Sequence, residues 1–178
     1  RRPIEAVLHA RWGPPPPPLE LTTAAHERLA TRAEALLRDL LASDNYDSVA
    51  NFLSFYGEWE RGRPLADSFA EYSPPIKPKR QTCVGLALEL LRRWRGLERE
   101  FPGVRVSAAL VSCEEAVAAV DECDGVPGFE SEKEHVLVCV RLSLGGRRGV
   151  LLADPGYHVA NVITVMADRA FPHTGERV

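Results

Sequence analysis

Apolar residues at three- and four-residue steps mark three helices in the first hundred positions. The first opens at Thr22 or Thr23, a residue type suited to an N-cap, and carries Leu29, Ala33, Leu36, Leu37, Leu40 and Leu41 on one face before Ser43-Asp44-Asn45 ends it. A second is expected from Tyr46 to Trp59, with Tyr46, Val49, Ala50, Leu53 and Tyr56 on one side. A third begins near Thr82, with Cys83, Leu86, Ala87, Leu90, Leu91 and Trp94 in register. Trp59 and Trp94 are expected in the core. Between the second and third helices, Pro64, Pro74, Pro75 and Pro78 break the pattern, so residues 61–79 read as a loop.

Phe101-Pro102-Gly103 turns the chain, and the period then changes to that of strands. Val104 to Ser112 reads as the first. Residues 113–134 hold eight acids and one lysine, and read as an exposed acidic loop with an optional short helix. The clearest hairpin follows: residues 135–144, a Gly145-Gly146 turn, and a return strand over 149–154. Asp154-Pro155-Gly156-Tyr157 is a turn, and Val159 to Met166 a further strand. Helices first and antiparallel strands afterwards make an α+β fold. Three parts are expected. Residues 1–20, with five prolines from Pro14 to Pro18, form a polyproline tail that joins neither sheet nor helix. Residues 21–100 form a helical subdomain and 101–178 an antiparallel β subdomain.

Composition narrows the function classes. The chain has 178 residues, 45% hydrophobic and 26% charged, the profile of a soluble globular protein. Its net charge of −3 argues against a nucleic-acid partner. The longest apolar runs, such as Val136 to Val140, are about five residues where a membrane span needs roughly 20. Cys83, Cys113, Cys123 and Cys139 are irregularly spaced, with no Cys-x-x-Cys and no His-x-x-x-His, so a metal site is not expected. Reduced thiols and a cytoplasmic location are the expectation. The chain starts at Arg1 and stops just after a strand, and so reads as a piece of a longer molecule.

Three residues carry candidate chemistry. Cys83 falls at the first turn of a helix, where unpaired N–H groups and the helix dipole favour thiolate over thiol. Lys77, Lys79 and Arg80 precede it and add positive charge that can face an acidic cofactor. His135 opens one arm of the hairpin and Asp154 ends the other, so antiparallel pairing brings them side by side. Taken singly, each has a plain structural reading: a small core residue, a surface histidine, a turn aspartate. Together they form a nucleophile, a base and a carboxylate that orients it. Gly156 either leaves room beside this site or serves an ordinary turn, and Tyr157 either lines a substrate pocket or lies on the surface. Cys113 and Cys123 read as exposed free thiols, and Cys139 as inert core.

The stretch from His135 through Gly145-Gly146-Arg147 to Asp154-Pro155-Gly156-Tyr157 resembles the catalytic hairpin of the arylamine N-acetyltransferases. That family has a His heading one strand, an Asp followed by x-Gly-aromatic after the turn, and an earlier Cys at the start of a helix. The resemblance covers roughly residues 46–170 and implies a cysteine-proteinase-like fold with a β-barrel subdomain. It implies acyl transfer from acetyl-CoA through a Cys83 thioester to a small amine, without a metal. Where the family has Arg-Gly-Gly before the Cys, this chain has Lys79-Arg80-Gln81-Thr82, and the family's C-terminal lid domain is not expected within residues 1–178. Transglutaminase-like and papain-like enzymes share the same three-residue logic. A silent relative that binds protein through the acidic loop or polyproline tail is the reading from another class.

Overall fold

A computed structural model describes residues 15–59, 62–72, 76–77, 82–113 and 135–174. The element order is β1 (Leu19–Leu21), α1 (Thr23–Ser43), α2 (Val49–Glu58), α3 (Leu65–Glu71), α4 (Cys83–Arg95), α5 (Val104–Ser107), β2 (Ala108–Cys113), β3 (His135–Leu144), β4 (Arg147–Ala153) and β5 (Ile163–Met166). A short 3₁₀ segment, Gly96–Arg99, follows α4 directly. Helices and one five-stranded sheet make a mixed α+β architecture.

The sheet is organised on β3. Its first half pairs antiparallel with β2, from Cys113↔His135 to Ala108↔Val140, and its second half pairs parallel with β1, from Leu19↔Leu142 to Leu21↔Leu144. The other edge pairs antiparallel with β4, which carries β5 beyond it. The Gly145-Gly146 turn uses φ of +60° and +83°, a left-handed pair that glycine adopts without steric cost.

Helices α1 and α4 lie on one face of this sheet. Leu29, Leu37, Leu86, Leu90 and Trp94 from the helices meet Val138, Val140, Leu142 and Leu151 from the strands in a single buried core. The Trp94 indole N–H, buried with its ring, donates to the Ala33 carbonyl at 3.1 Å and ties the two helices together. Among the described residues no helix is long and apolar enough to cross a membrane.

Several expectations are corrected. Leu19 and Leu21 belong to the sheet rather than to a free tail: Leu19 is buried, and the Pro16 carbonyl accepts from Arg141 Nη1 at 2.6 Å. The sheet is therefore mixed, not wholly antiparallel. The segment expected as a loop contains α3, because Pro64 stands at its N-cap, where a missing N–H costs nothing. Helix α2 starts at Val49, not Tyr46, since the Asp47 carboxylate accepts from the Val49 N–H at 3.0 Å. Its Val49, Leu53 and Tyr56 are exposed, and the buried residue is Phe55, whose ring meets Phe69 and Tyr72. Trp59 is half-buried beyond that helix, and its indole donates to the Arg63 carbonyl.

Val104–Ser107 is a helical turn instead of the start of a strand. Gly103 stands at φ +96°, and the Glu98 carboxylate accepts from the Gly103 and Arg105 N–H groups at 2.9 and 2.8 Å. Of the last expected strand only Ile163–Met166 forms: Val159 N–H is turned back to the Asp154 carbonyl at 3.2 Å, and pairing with β4 begins only at Leu152↔Ile163. The acidic loop, Cys123 and the Cys113 side chain lie outside the described residues.

A buried carboxylate fixes α4. Glu89 is 2% exposed and accepts from Arg92 Nε and Nη2 at 2.9 and 2.7 Å and from Arg93 Nε at 2.9 Å. Arg92 holds its acidity at about 2 against the opposing pull of burial, with Arg93 helping. A carboxylate so depressed adds stability that is complete above about pH 4.5 and is lost as pH falls toward about 2. The shift corresponds to at most about 3 kcal/mol, less screening at the exposed Arg92. Glu89→Gln is expected to lower the urea midpoint at neutral pH, with the gap to wild type closing between about pH 4.5 and 2. A gap independent of pH would remove Glu89 from this role.

Candidate functional site

The site is assembled where the start of α4 meets the start of β3 and the end of β4. Thr82 caps α4: its backbone is extended, its hydroxyl accepts from the Gly85 N–H at 3.3 Å, and its carbonyl takes the Leu86 N–H at 3.1 Å. Cys83 is thus the first helical residue, and the N–H groups of Cys83 and Val84 have no carbonyl within the helix to bind. No acid occupies this first turn, whereas Arg92, Arg93 and Arg95 sit in the last turn, so the charges follow the helix dipole. Cys83 is 8% exposed.

His135 is the first residue of β3 and is 5% exposed. The hairpin register ends at Val138↔Ala153, so Asp154 stands one step past the last pair, on the face shared by Leu137 and His135. From that diagonal position Asp154 Oδ1 lies 2.8 Å from His135 Nε2. An ionised carboxylate only accepts, so Nε2–H is the donor, and the opposite ring nitrogen is the one free to take a proton. The expected pairing of histidine and aspartate is present.

The connection to Cys83 runs through Gly156. A methyl group placed on Gly156 would lie 2.6 Å from His135 Cε1, 2.8 Å from Cys83 Cβ and 3.3 Å from Cys83 Cα. One methyl-sized position beside Gly156, left open by the glycine, therefore touches both side chains. Among the described residues no hydrogen bond joins the Cys83 sulfur to the ring. The two side chains thus lie beside the same small space at Gly156.

The turn that supplies Gly156 is built by Asp154 itself. Its Oδ1 also accepts from the Tyr157 N–H at 3.0 Å, its carbonyl accepts from the Val159 N–H at 3.2 Å, and His158 N–H donates to the Pro155 carbonyl at 3.3 Å. His158 stands at φ +58°, a left-handed position that histidine tolerates better than most residues. The Tyr157 ring lies against the His135 ring, with centroids 4.3 Å apart and planes inclined by 41°. The sequence offered a signal for this turn, an aspartate followed by Pro-Gly, but none for the ring contact.

The remaining candidates separate from the site. Cys139 is buried in mid-strand, and burial pushes its thiol up to about 11, with Arg141 pulling the other way. Lys77 is exposed, and Lys79 and Arg80 lie outside the described residues. Among the described residues no group of His, Cys, Asp and Glu is placed to hold a metal ion. No family model, curated protein or solved structure matches the chain.

Proposed function

We propose that the chain carries the Cys83–His135–Asp154 centre of an acyltransferase resembling the arylamine N-acetyltransferases, on a cysteine-proteinase-like fold whose sheet belongs to a β-barrel. The observation that supports this most is the closeness of Gly156 to both Cys83 and His135 while Asp154 accepts from the neighbouring ring nitrogen Nε2.

The chemistry runs in two half-reactions. His135 takes the Cys83 proton, and Asp154 stabilises the imidazolium that results. The thiolate attacks the acyl carbon of an acyl-CoA such as acetyl-CoA. The carbon–sulfur bond to CoA breaks, and the departing CoA sulfur takes the proton back from His135. A small-molecule amine then attacks the Cys83 thioester, His135 removes the amine proton, and that proton goes to the departing Cys83 sulfur. The N–H groups of Cys83 and Val84 face the oxyanion formed in each step. Gly156 keeps the approach to the sulfur open, and Tyr157 borders it. The protein acts in the cytoplasm, with no nucleic acid or membrane as partner.

Incubating the full chain with acetyl-CoA and mapping peptides by mass tests this. The expected product carries one acetyl group on Cys83, and His135→Ala abolishes it. A chain that stays unmodified, or that is acetylated equally in Cys83→Ser, overturns the proposal in favour of a silent binding module.

A further inference from the structure

We propose that Tyr157 is the positioning residue for His135, holding the imidazole in the orientation from which it activates Cys83; this rests on Cys83 being the nucleophile. Three contacts restrain the ring. Asp154 Oδ1 holds the Nε2 edge at 2.8 Å, Gly156 lies so close to Cε1 that a methyl group on it would stand 2.6 Å away, and the Tyr157 ring lies against the imidazole at a centroid distance of 4.3 Å and an inclination of 41°. The first contact alone leaves the ring free to swing about the bond joining it to the chain. Swinging would carry the free nitrogen away from Cys83 without breaking the tie to Asp154 at once.

The Tyr157 ring packed against the imidazole opposes that motion. Tyr157 is itself anchored at both levels. Its N–H donates to the same Asp154 oxygen, so carboxylate, imidazole and tyrosine backbone converge on one atom. The bonds from His158 N–H to Pro155 and from Val159 N–H to Asp154 close the turn around it. Tyr157 is 58% exposed while His135 is 5% exposed, so a large side chain is held over the imidazole on the solvent side instead of being drawn into the core.

The test is the rate of Cys83 alkylation by iodoacetamide in the full chain, measured at about pH 6 and about pH 9. At the higher pH most thiols react as thiolate, so that rate reports access; the ratio of the two rates reports activation by His135. Tyr157→Ala is expected to lower the ratio about tenfold with little change at the higher pH, and Tyr157→Phe to restore it. Tyr157→Leu, which keeps bulk without a flat face, is expected to behave as the alanine variant, and it serves where the alanine variant does not fold. His135→Ala separates the two levels. If it leaves the ratio unchanged, the reading of Cys83 as an activated nucleophile fails. If it collapses the ratio while Tyr157→Ala and Tyr157→Leu match wild type, the positioning role alone is overturned.

Discussion

Gly156→Ala is expected to cut the rate of acyl transfer through Cys83 about a hundredfold or more while leaving the chain folded. The added methyl has nowhere to go: 2.6 Å to His135 Cε1 and 2.8 Å to Cys83 Cβ are both closer than a carbon atom tolerates. Neither neighbour is the far end of a flexible side chain. Cys83 Cβ is fixed to the first turn of α4, and the His135 ring is held by Asp154. The methyl must therefore push nucleophile and base apart, or lift the turn and carry Asp154 off the ring. A displacement of about 1 Å at a reacting centre costs about a hundredfold in rate, and overpacking costs roughly 1–3 kcal/mol in stability. Transfer from acetyl-CoA and a thermal melt, made on the same variant, read the two effects separately. A variant with wild-type rate would show that Cys83 and His135 do not need the open space at Gly156.

Asp154→Asn should fall in the same range, about 10²–10⁴ in rate, by a different route. The amide is the same size, and its oxygen still serves the Tyr157 N–H, so the turn survives. The negative charge that stabilises the imidazolium is lost. Circular dichroism is expected to match wild type while transfer fails. Unchanged transfer would leave Asp154 as a turn residue and nothing more.

The parts of this fold that could be read from sequence are those where one local signal dominates. Helix α4 announced itself by its apolar spacing from Thr82 onward, and Cys83, Leu86, Ala87, Leu90, Leu91 and Trp94 are all buried. The β3–β4 hairpin had its Gly-Gly turn, and its register carried His135 and Asp154 to each other. The failures share a cause: a local signal overridden by a distant partner. The prolines before Leu19 suggested a free tail, yet the edge of β3 offered a parallel partner. Pro64 reads as a breaker although it opens α3. Val104-Arg105-Val106 alternates as a strand does, but the Glu98 carboxylate holds it in a helical turn. In α2 the spacing was helical and the face was wrong, because Phe69 and Tyr72 lie beyond a proline and no window across α2 alone contains them. The closeness of Gly156 to Cys83 is of the same kind, since 73 positions of sequence separate them.

The most direct measurement pits the four cysteines against one another. The full chain is exposed to limiting iodoacetamide at about pH 6, where an unassisted thiol is well under 1% ionised, and the labelled peptides are quantified. Cys139 is the buried comparison, with its thiol pushed up to about 11; Cys123 is the comparison with no histidine–aspartate pair assigned to it; and Cys113, whose β2 position pairs with His135 across the sheet, is followed separately. Cys83 is expected to be labelled first, and His135→Ala to remove that lead without changing Cys123 or Cys139. Faster labelling of Cys113 or Cys123, or a Cys83 rate indifferent to His135, would contradict an activated nucleophile at the head of α4.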